Sequence, residues 1–409
     1  MIFVAKVLNV VGANLMSRQW PGSHRSSRAA LSPLLGLGFF ALAIASTSFQ
    51  VSHAQGERPI PSQKFIGNLE PVAFFDGAMP TGVAVSAQGR QFVSFPRWGD
   101  PVPFTVAELV CGQAVAYPNA EINRDDVFAV TEHLLSVQSV VVDAKDRLWL
   151  LDTGSPKFEP VVKGAAKLVC VDLKSNKVVQ TIFMTANTAF SSSYLNDVRF
   201  DLSRGKAGMA FITDSSSTCP AIIVVDLASG ESWRRLSDHS SVRPVSGFLP
   251  MLEGEPLSNL HVGSDGIAIG AGGQRLFYCP LSSRKLYSVS IDALCDRALS
   301  DDDVAKTVCD VITKGASDGL ESDSLGRIYA SNYEHNAIHR ISLSGKDETL
   351  VCDPRVLWPD TLCLANDGYL YFIVNQLHRQ ARFHDGQDKR QKPYVLFRIK
   401  VDAKPVALK

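Results

Sequence analysis

The amino-acid sequence predicts an all-β fold, a single-domain six-bladed β-propeller over residues 65–402. Three observations predict it. A strand–turn–strand pattern recurs six times along the chain, each copy opens on a polar residue at the same register, and amphipathic helical stretches are nearly absent.

The six first strands are read at residues 81–85, 138–142, 196–200, 265–269, 318–322 and 360–364. Each alternates apolar and small or polar residues and breaks at a Gly- or Asp-containing turn, such as Gln88-Gly89-Arg90 or Asn366-Asp367-Gly368. A second strand rich in aromatic residues follows each turn, as in Leu148-Trp149-Leu150-Leu151 and Tyr369-Leu370-Tyr371-Phe372. Further strands are expected at 167–172, 221–226, 285–291, 337–343 and 394–401. The copies lie far enough apart for about four short strands each, the content of a propeller blade. Immunoglobulin-like arrays also give regular short strands, but they do not demand one polar residue at one register in every copy. A doubly wound α/β fold needs helices between strands. Only two short helical turns are read, at 291–298 and 301–310.

The ends are assigned separately. Arg18, Arg25 and Arg28 precede an apolar run from Leu34 to Ala45, and Ser52-His53-Ala54 supplies a small-x-small cleavage site. Residues 1–54 therefore read as a secretory signal, with Met1 or Met16 as the start. The apolar run is short for a membrane span, so no stable span is expected after cleavage. Residues 55–64 form a linker and 403–409 a C-terminal tail, and the product is expected to be secreted or periplasmic. The 41 basic and 41 acidic residues balance to zero net charge, which argues against nucleic acid as the main partner. All eight cysteines follow the cleavage site. Disulfides are expected in an exported chain, Cys295 with Cys309 being the local candidate. No C-x-x-C pair is present, which excludes a zinc knuckle or a thioredoxin-like centre.

The first strand of each copy is taken as the one lining the central channel. The residues opening these strands, Thr81, Gln138, Asn196, Asp265, Asp318 and Asp360, would then form a ring at one mouth. Gln138, Asn196, Asp265, Asp318 and Asp360 are the candidate ligand-binding residues for a small-molecule ligand or substrate. Three carboxylates and an amide converging there call for a positive partner. One candidate is calcium, which takes oxygen ligands, on Asn196, Asp265 and Asp318. Zinc or copper would want His or Cys, which the ring lacks. Read singly, an Asp-Gly or Asn-Asp step is an ordinary turn; what points to a site is the common register. His335 and His339 have metal-ligand spacing but fall in a hairpin loop, and His261 is a loop histidine near the ring. Nucleophile-elbow and P-loop motifs are absent.

Several strings resemble the major royal jelly/yellow protein family. They are Asp146-Arg147-Leu148-Trp149-Leu150-Leu151-Asp152-Thr153-Gly154, Asn196-Asp197-Val198, Ile212-Thr213-Asp214-Ser215-Ser216, Leu276-Phe277-Tyr278-Cys279-Pro280-Leu281-Ser282-Ser283, and Trp358-Pro359-Asp360 followed by Val374-Asn375-Gln376. The resemblance implies a secreted six-bladed propeller linked to pigment chemistry or to binding small amines. More distantly, the repeats resemble the gluconolactonase/senescence-marker calcium-dependent propellers. That resemblance implies metal ligands at Asn196, Asp265 and Asp318, while Thr81 stands where that group carries a Glu. Two functions follow as expectations. One is binding of a small polar or amine ligand at the channel mouth. The other is calcium-dependent lactone or ester hydrolysis, with Asp360 as general base. A protein-interaction propeller without small-molecule chemistry is the third.

Overall fold

The computed structural model describes residues 65–342 and 344–409, and the expected signal segment 1–54 and linker 55–64 lie outside them. Six four-stranded antiparallel sheets follow one another along the chain. Their first strands are Val83–Val85, Val137–Val142, Leu195–Asp201, Ser264–Ile269, Leu320–Ser322 and Pro359–Leu364. These six contact one another in a closed circle, the last returning to the first, so they line the channel as expected. The last sheet is completed by the N-terminal strand Glu70–Phe75, which pairs antiparallel with Tyr394–Lys400 as its outermost strand. The ring is thereby closed by hydrogen bonds between the two ends of the propeller.

Six apolar clusters fill the wedges between neighbouring blades. In one, Trp149, Leu151 and Leu168 of the second blade meet Val198, Ile212 and Ile223 of the third, all buried. Alternation along each strand produces these wedges, because every second residue faces the next blade. A seventh cluster, with Leu260, Leu281, Tyr333, Trp358 and Leu377, lies among the loops of one face.

The turns between first and second strands share a device. In Asp143-x-x-x-Arg147-x-Trp149 the Asp143 carboxylate accepts from the backbone N–H of Lys145 and Arg147, the Arg147 guanidinium and the Trp149 indole N–H (2.8 Å). Asp323-x-x-x-Arg327-x-Tyr329 repeats it, with the Tyr329 hydroxyl donating at 2.8 Å. This fixes the hairpin register and explains the charged and aromatic residues of these two repeats.

Some boundaries move. The helical turns shorten to Ile291–Cys295 and Asp301–Ala305, each capped by a serine hydroxyl. Cys309 and Asp310, expected at a helix end, instead open the edge strand Cys309–Thr313, which pairs with Lys285–Ser290. Ile291 leaves its expected strand to start the first of these helices, because Ser290 accepts from the Ala293 N–H. The 403–409 segment packs under the propeller: Ala403 is buried, Pro405 bridges to Asp323, and the Leu408 carbonyl accepts from the Leu202 N–H. All eight cysteines are free thiols, Cys295 and Cys309 included. No helix among the described residues is long and apolar enough to cross a membrane.

Candidate ligand-binding site

At the start of each first strand the blades approach one another closely. A Cβ on Gly266 would lie 2.2 Å from the Asp318 carbonyl oxygen, and one on Gly319 would lie 2.4 Å from that of Asp360. The Asp-Gly steps are therefore not turns. They are places where one inner strand rests on the backbone of the next ring residue. Hydroxyls tie two other ring carbonyls from the preceding blade: Ser94 donates to Gln138 (2.8 Å) and Thr213 to Asp265 (2.7 Å). Ring spacing is thus set by backbone contacts.

Gln138, Asn196, Asp265, Asp318 and Asp360 line one cavity of about 620 Å³ at this mouth. Thr81 does not line it. Its side chain is fully buried, and its hydroxyl donates to the Gln138 carbonyl at 3.0 Å. The Asn196 amide makes no side-chain hydrogen bond to a described residue and stays available. Of the tryptophans, Trp149 and Trp358 are fully buried, whereas Trp98 lines the cavity. His261 also lines it, from an exposed loop position. His335 and His339 both approach the Asn332 amide at 3.4 Å and lie outside the cavity lining.

The carboxylates are held individually. Asp318 accepts from the Trp358 indole N–H at 2.7 Å, and Asp360 accepts from the Asn375 amide at 2.6 Å. Trp358 holds a left-handed backbone conformation (φ 59°), rare for a bulky residue and costly unless its surroundings impose it. Here it stacks on Tyr333 at 4.2 Å between ring centroids while its indole reaches Asp318. Asp265 and Asp318 are close enough that the charge on Asp318 disfavours ionisation of Asp265. Burial pushes the Asp318 carboxyl up to about 6, even though the Trp358 and Asp265 hydrogen bonds favour its charge. Burial, then the neighbouring carboxylates, raise Asp265 further. Burial and the charge on Asp318 likewise raise Asp360. Among the described residues none of these three carboxyls forms an ion pair; the side-chain partners of Asp318 and Asp360 are Trp358, Asn375 and Thr361.

The remaining walls come from loops outside the repeat. Trp98 stacks on Phe158 (5.0 Å between centroids), and Phe158 lies 5.2 Å from Tyr194. The Tyr194 hydroxyl accepts from the Trp98 indole N–H (2.6 Å) and donates to the Gln138 amide oxygen (3.1 Å), tying the aromatic wall to the ring. Phe383 and Arg382 complete this side, and serines at 191–193 and 215–217 line the other. Tyr194, Phe158 and Arg382 went unread in the sequence because they sit in loops with no repeat register. Tyr194 alone carried a signal, lying two residues before Asn196.

Calcium needs about six to eight oxygen ligands. Thr81 is turned away to the Gln138 carbonyl, Asp318 is engaged by the Trp358 indole, and Asp360 by Asn375. Among the described residues no group of three or more His, Cys, Asp or Glu side chains is arranged to hold a metal ion. The residues present do not fit that ion.

A second cavity of about 290 Å³ lies between the inner strands and the 405–409 segment. Arg199 lines it and pairs with Asp197 at 2.8 Å. Glu321 lines it too, with the Arg199 charge acting on it, whereas the mouth gathers three carboxyls without an ion pair among the described residues, so the mouth is the site of interest.

The chain matches the family described as "Major royal jelly protein" over residues 135–406, more than half of its length. It is 27% identical over 238 residues to a yellow-related salivary protein of Lutzomyia longipalpis, covering 53% of this chain and 57% of that one. It is 24% identical over 311 residues to protein yellow of Drosophila madeirensis (68% and 52%). Identity to a dopaminechrome tautomerase of Drosophila melanogaster is 27% over 165 residues (38% and 35%). The chain thus spans about half the length or less of these relatives. Among solved structures, a gluconolactonase-family protein superposes with TM-score 0.53 at 12% identity, covering 83% of this chain and 94% of that one. A calcium-binding regucalcin from Agrobacterium tumefaciens gives 0.52 at 12% identity (84% and 96%). At such identity the likeness is one of fold.

Proposed function

The chain belongs to the major royal jelly protein family, and from that premise we propose that it is an exported propeller binding a small aromatic amine at the channel mouth. One observation carries the reading: three buried carboxyls, Asp265, Asp318 and Asp360, converge on a cavity and form no ion pair with any described residue. Burying such a cluster is costly, and a ligand ammonium offsets that cost on binding. The wall of Trp98, Phe158 and Tyr194 suits an aromatic ring, by stacking on the ring itself and by attraction of its cation to the aromatic faces. Export is supported by relatives named as salivary and royal jelly proteins. The relative named dopaminechrome tautomerase is consistent with an aromatic, amine-derived ligand. Calcium-dependent hydrolysis takes second place because the donor set does not fit calcium.

Isothermal titration with 2-phenylethylamine and dopamine tests the reading. Saturable binding is expected, weakened at least about tenfold in Asp318→Asn, the scale of one charge-assisted contact. Absence of binding by either amine, or full affinity in the variant, would overturn it. A calcium titration of the same sample is expected to be silent; tight binding lost in Asp318→Asn would restore the metal reading.

A further inference from the structure

The cavity has a second pole. Arg382 sits on the short 3₁₀ turn Ala381–Phe383 and lines the same cavity as the three carboxyls. Its guanidinium carbon lies 4.4 Å from the Phe158 ring centroid, 4.7 Å from Phe383 and 5.8 Å from Trp98. The other two arginines of this loop are neutralised. Arg379 pairs with Glu253, and Arg390 pairs with Asp100 and Asp388. Arg382 makes no ion pair and no side-chain hydrogen bond to any described residue. The side chain keeps accessible surface, yet the walls around it displace enough water to push its pKa down to about 10.

A guanidinium stacked on aromatic rings has its faces covered and its edge free. The edge carries the N–H donors, in the plane that grips a carboxylate or similar oxyanion with two parallel hydrogen bonds. No described residue hydrogen-bonds to the Arg382 donors. Nor is Arg382 the counter-ion of the carboxyls. Arg382 makes no ion pair with them, and the side-chain hydrogen bonds of Asp318 and Asp360 go to Trp358, Asn375 and Thr361. Arg382 and the three carboxyls line the same cavity, together with Phe158 and Tyr194.

We propose that Arg382 is a specificity residue, and that the preferred ligand is an arylalkyl amine carrying an anionic oxygen group on the far side of its ring. The ammonium lies against the Asp265–Asp318–Asp360 cluster, the ring against Phe158 and Tyr194, and the oxyanion against the Arg382 edge. This rests on the amine-binding reading and names the ligand class for the same cavity. A simple amine satisfies one pole only and leaves the guanidinium donors to water.

The test compares 4-(2-aminoethyl)benzoate with 2-phenylethylamine, which share ring and amine and differ by one carboxylate, using titration calorimetry on the full-length chain. The carboxylate compound is expected to bind about tenfold more tightly, the size of one added charge-assisted contact. In Arg382→Gln the ratio of the two constants is expected to fall close to one. Arg382→Lys, which keeps the charge without the fork, is expected to retain part of it. Thermal melts of both variants verify folding. Equal or tighter binding of 2-phenylethylamine to the native chain, or a ratio that survives in Arg382→Gln, overturns the proposal while leaving amine binding intact. Failure of both compounds to bind overturns the amine reading and this proposal together.

Discussion

Asp318 concentrates the chemistry of the site. Its carboxyl is lifted by burial from the ordinary value of 3.8 to about 6. The folded state therefore holds a proton that the unfolded chain has released, and stability falls as pH rises from about 4 to about 6. Amine binding moves the other way, because the ammonium attracts the ionised carboxylate: affinity should rise across the same window. Asp318→Asn removes the charge and keeps an acceptor for the Trp358 indole. It should raise the melting temperature at pH 7 by on the order of 2–4 °C over the native chain and by less at pH 4. A lower melting temperature at pH 7 would show that the buried charge is compensated within the protein. The strings that resemble the royal jelly/yellow family gain physical meaning at this scale. Trp358 and Asn375 hold Asp318 and Asp360, and Asp152 and Asp214 anchor the loops entering the second and third inner strands by accepting the Ser136 and Tyr194 N–H groups.

At the scale of elements, the inner strands matter most. Each supplies its ring residue, and backbone contacts between neighbouring strands set the spacing. Gly319→Ala would place a methyl 2.4 Å from the Asp360 carbonyl oxygen, with no flexible side chain to yield. Separation of the strands is the expected response, costing about 1–3 kcal/mol in urea unfolding and weakening amine binding through the displaced Asp360. Unchanged stability and affinity would mean that the strands can shift freely. The six ring positions were legible because a period-two strand opening on a polar residue recurs and needs no tertiary information. What the spacing did not reveal was which side chains face the cavity. Thr81 shares the register but spends its hydroxyl on the Gln138 carbonyl. The helical expectation at 301–310 overran for a related reason: the sheet edge at Lys285–Ser290 captures Cys309 and Asp310, and edge pairing overrides a weak local helical preference.

For the whole molecule, closure is the decisive event. Glu70–Phe75 completes the sixth blade, and Phe75 packs edge-on against Phe95 of the first blade at 5.7 Å. It sits in the apolar cluster that joins the two ends. Phe75→Ala should cost about 3–5 kcal/mol, seen as one cooperative urea transition shifted to lower denaturant, because the blades share their cores pairwise around the ring. A separate early transition would show instead that the first and sixth blades part before the rest unfold.

The sequence by itself determined the blade count, the repeating inner strands and the five polar residues that meet at the mouth. These follow from local periodicity, which is written residue by residue into the chain. Tertiary structure alone decided the rest. It excluded Thr81 from the cavity, raised the Asp265, Asp318 and Asp360 carboxyls by burial, and built the aromatic wall from Trp98, Phe158 and Tyr194. It also set Arg382 at the opposite pole. Those features depend on which loops meet over the channel once the ring has closed, and on how much water they exclude there. Neither burial nor the field of neighbouring charges has a signature in local sequence.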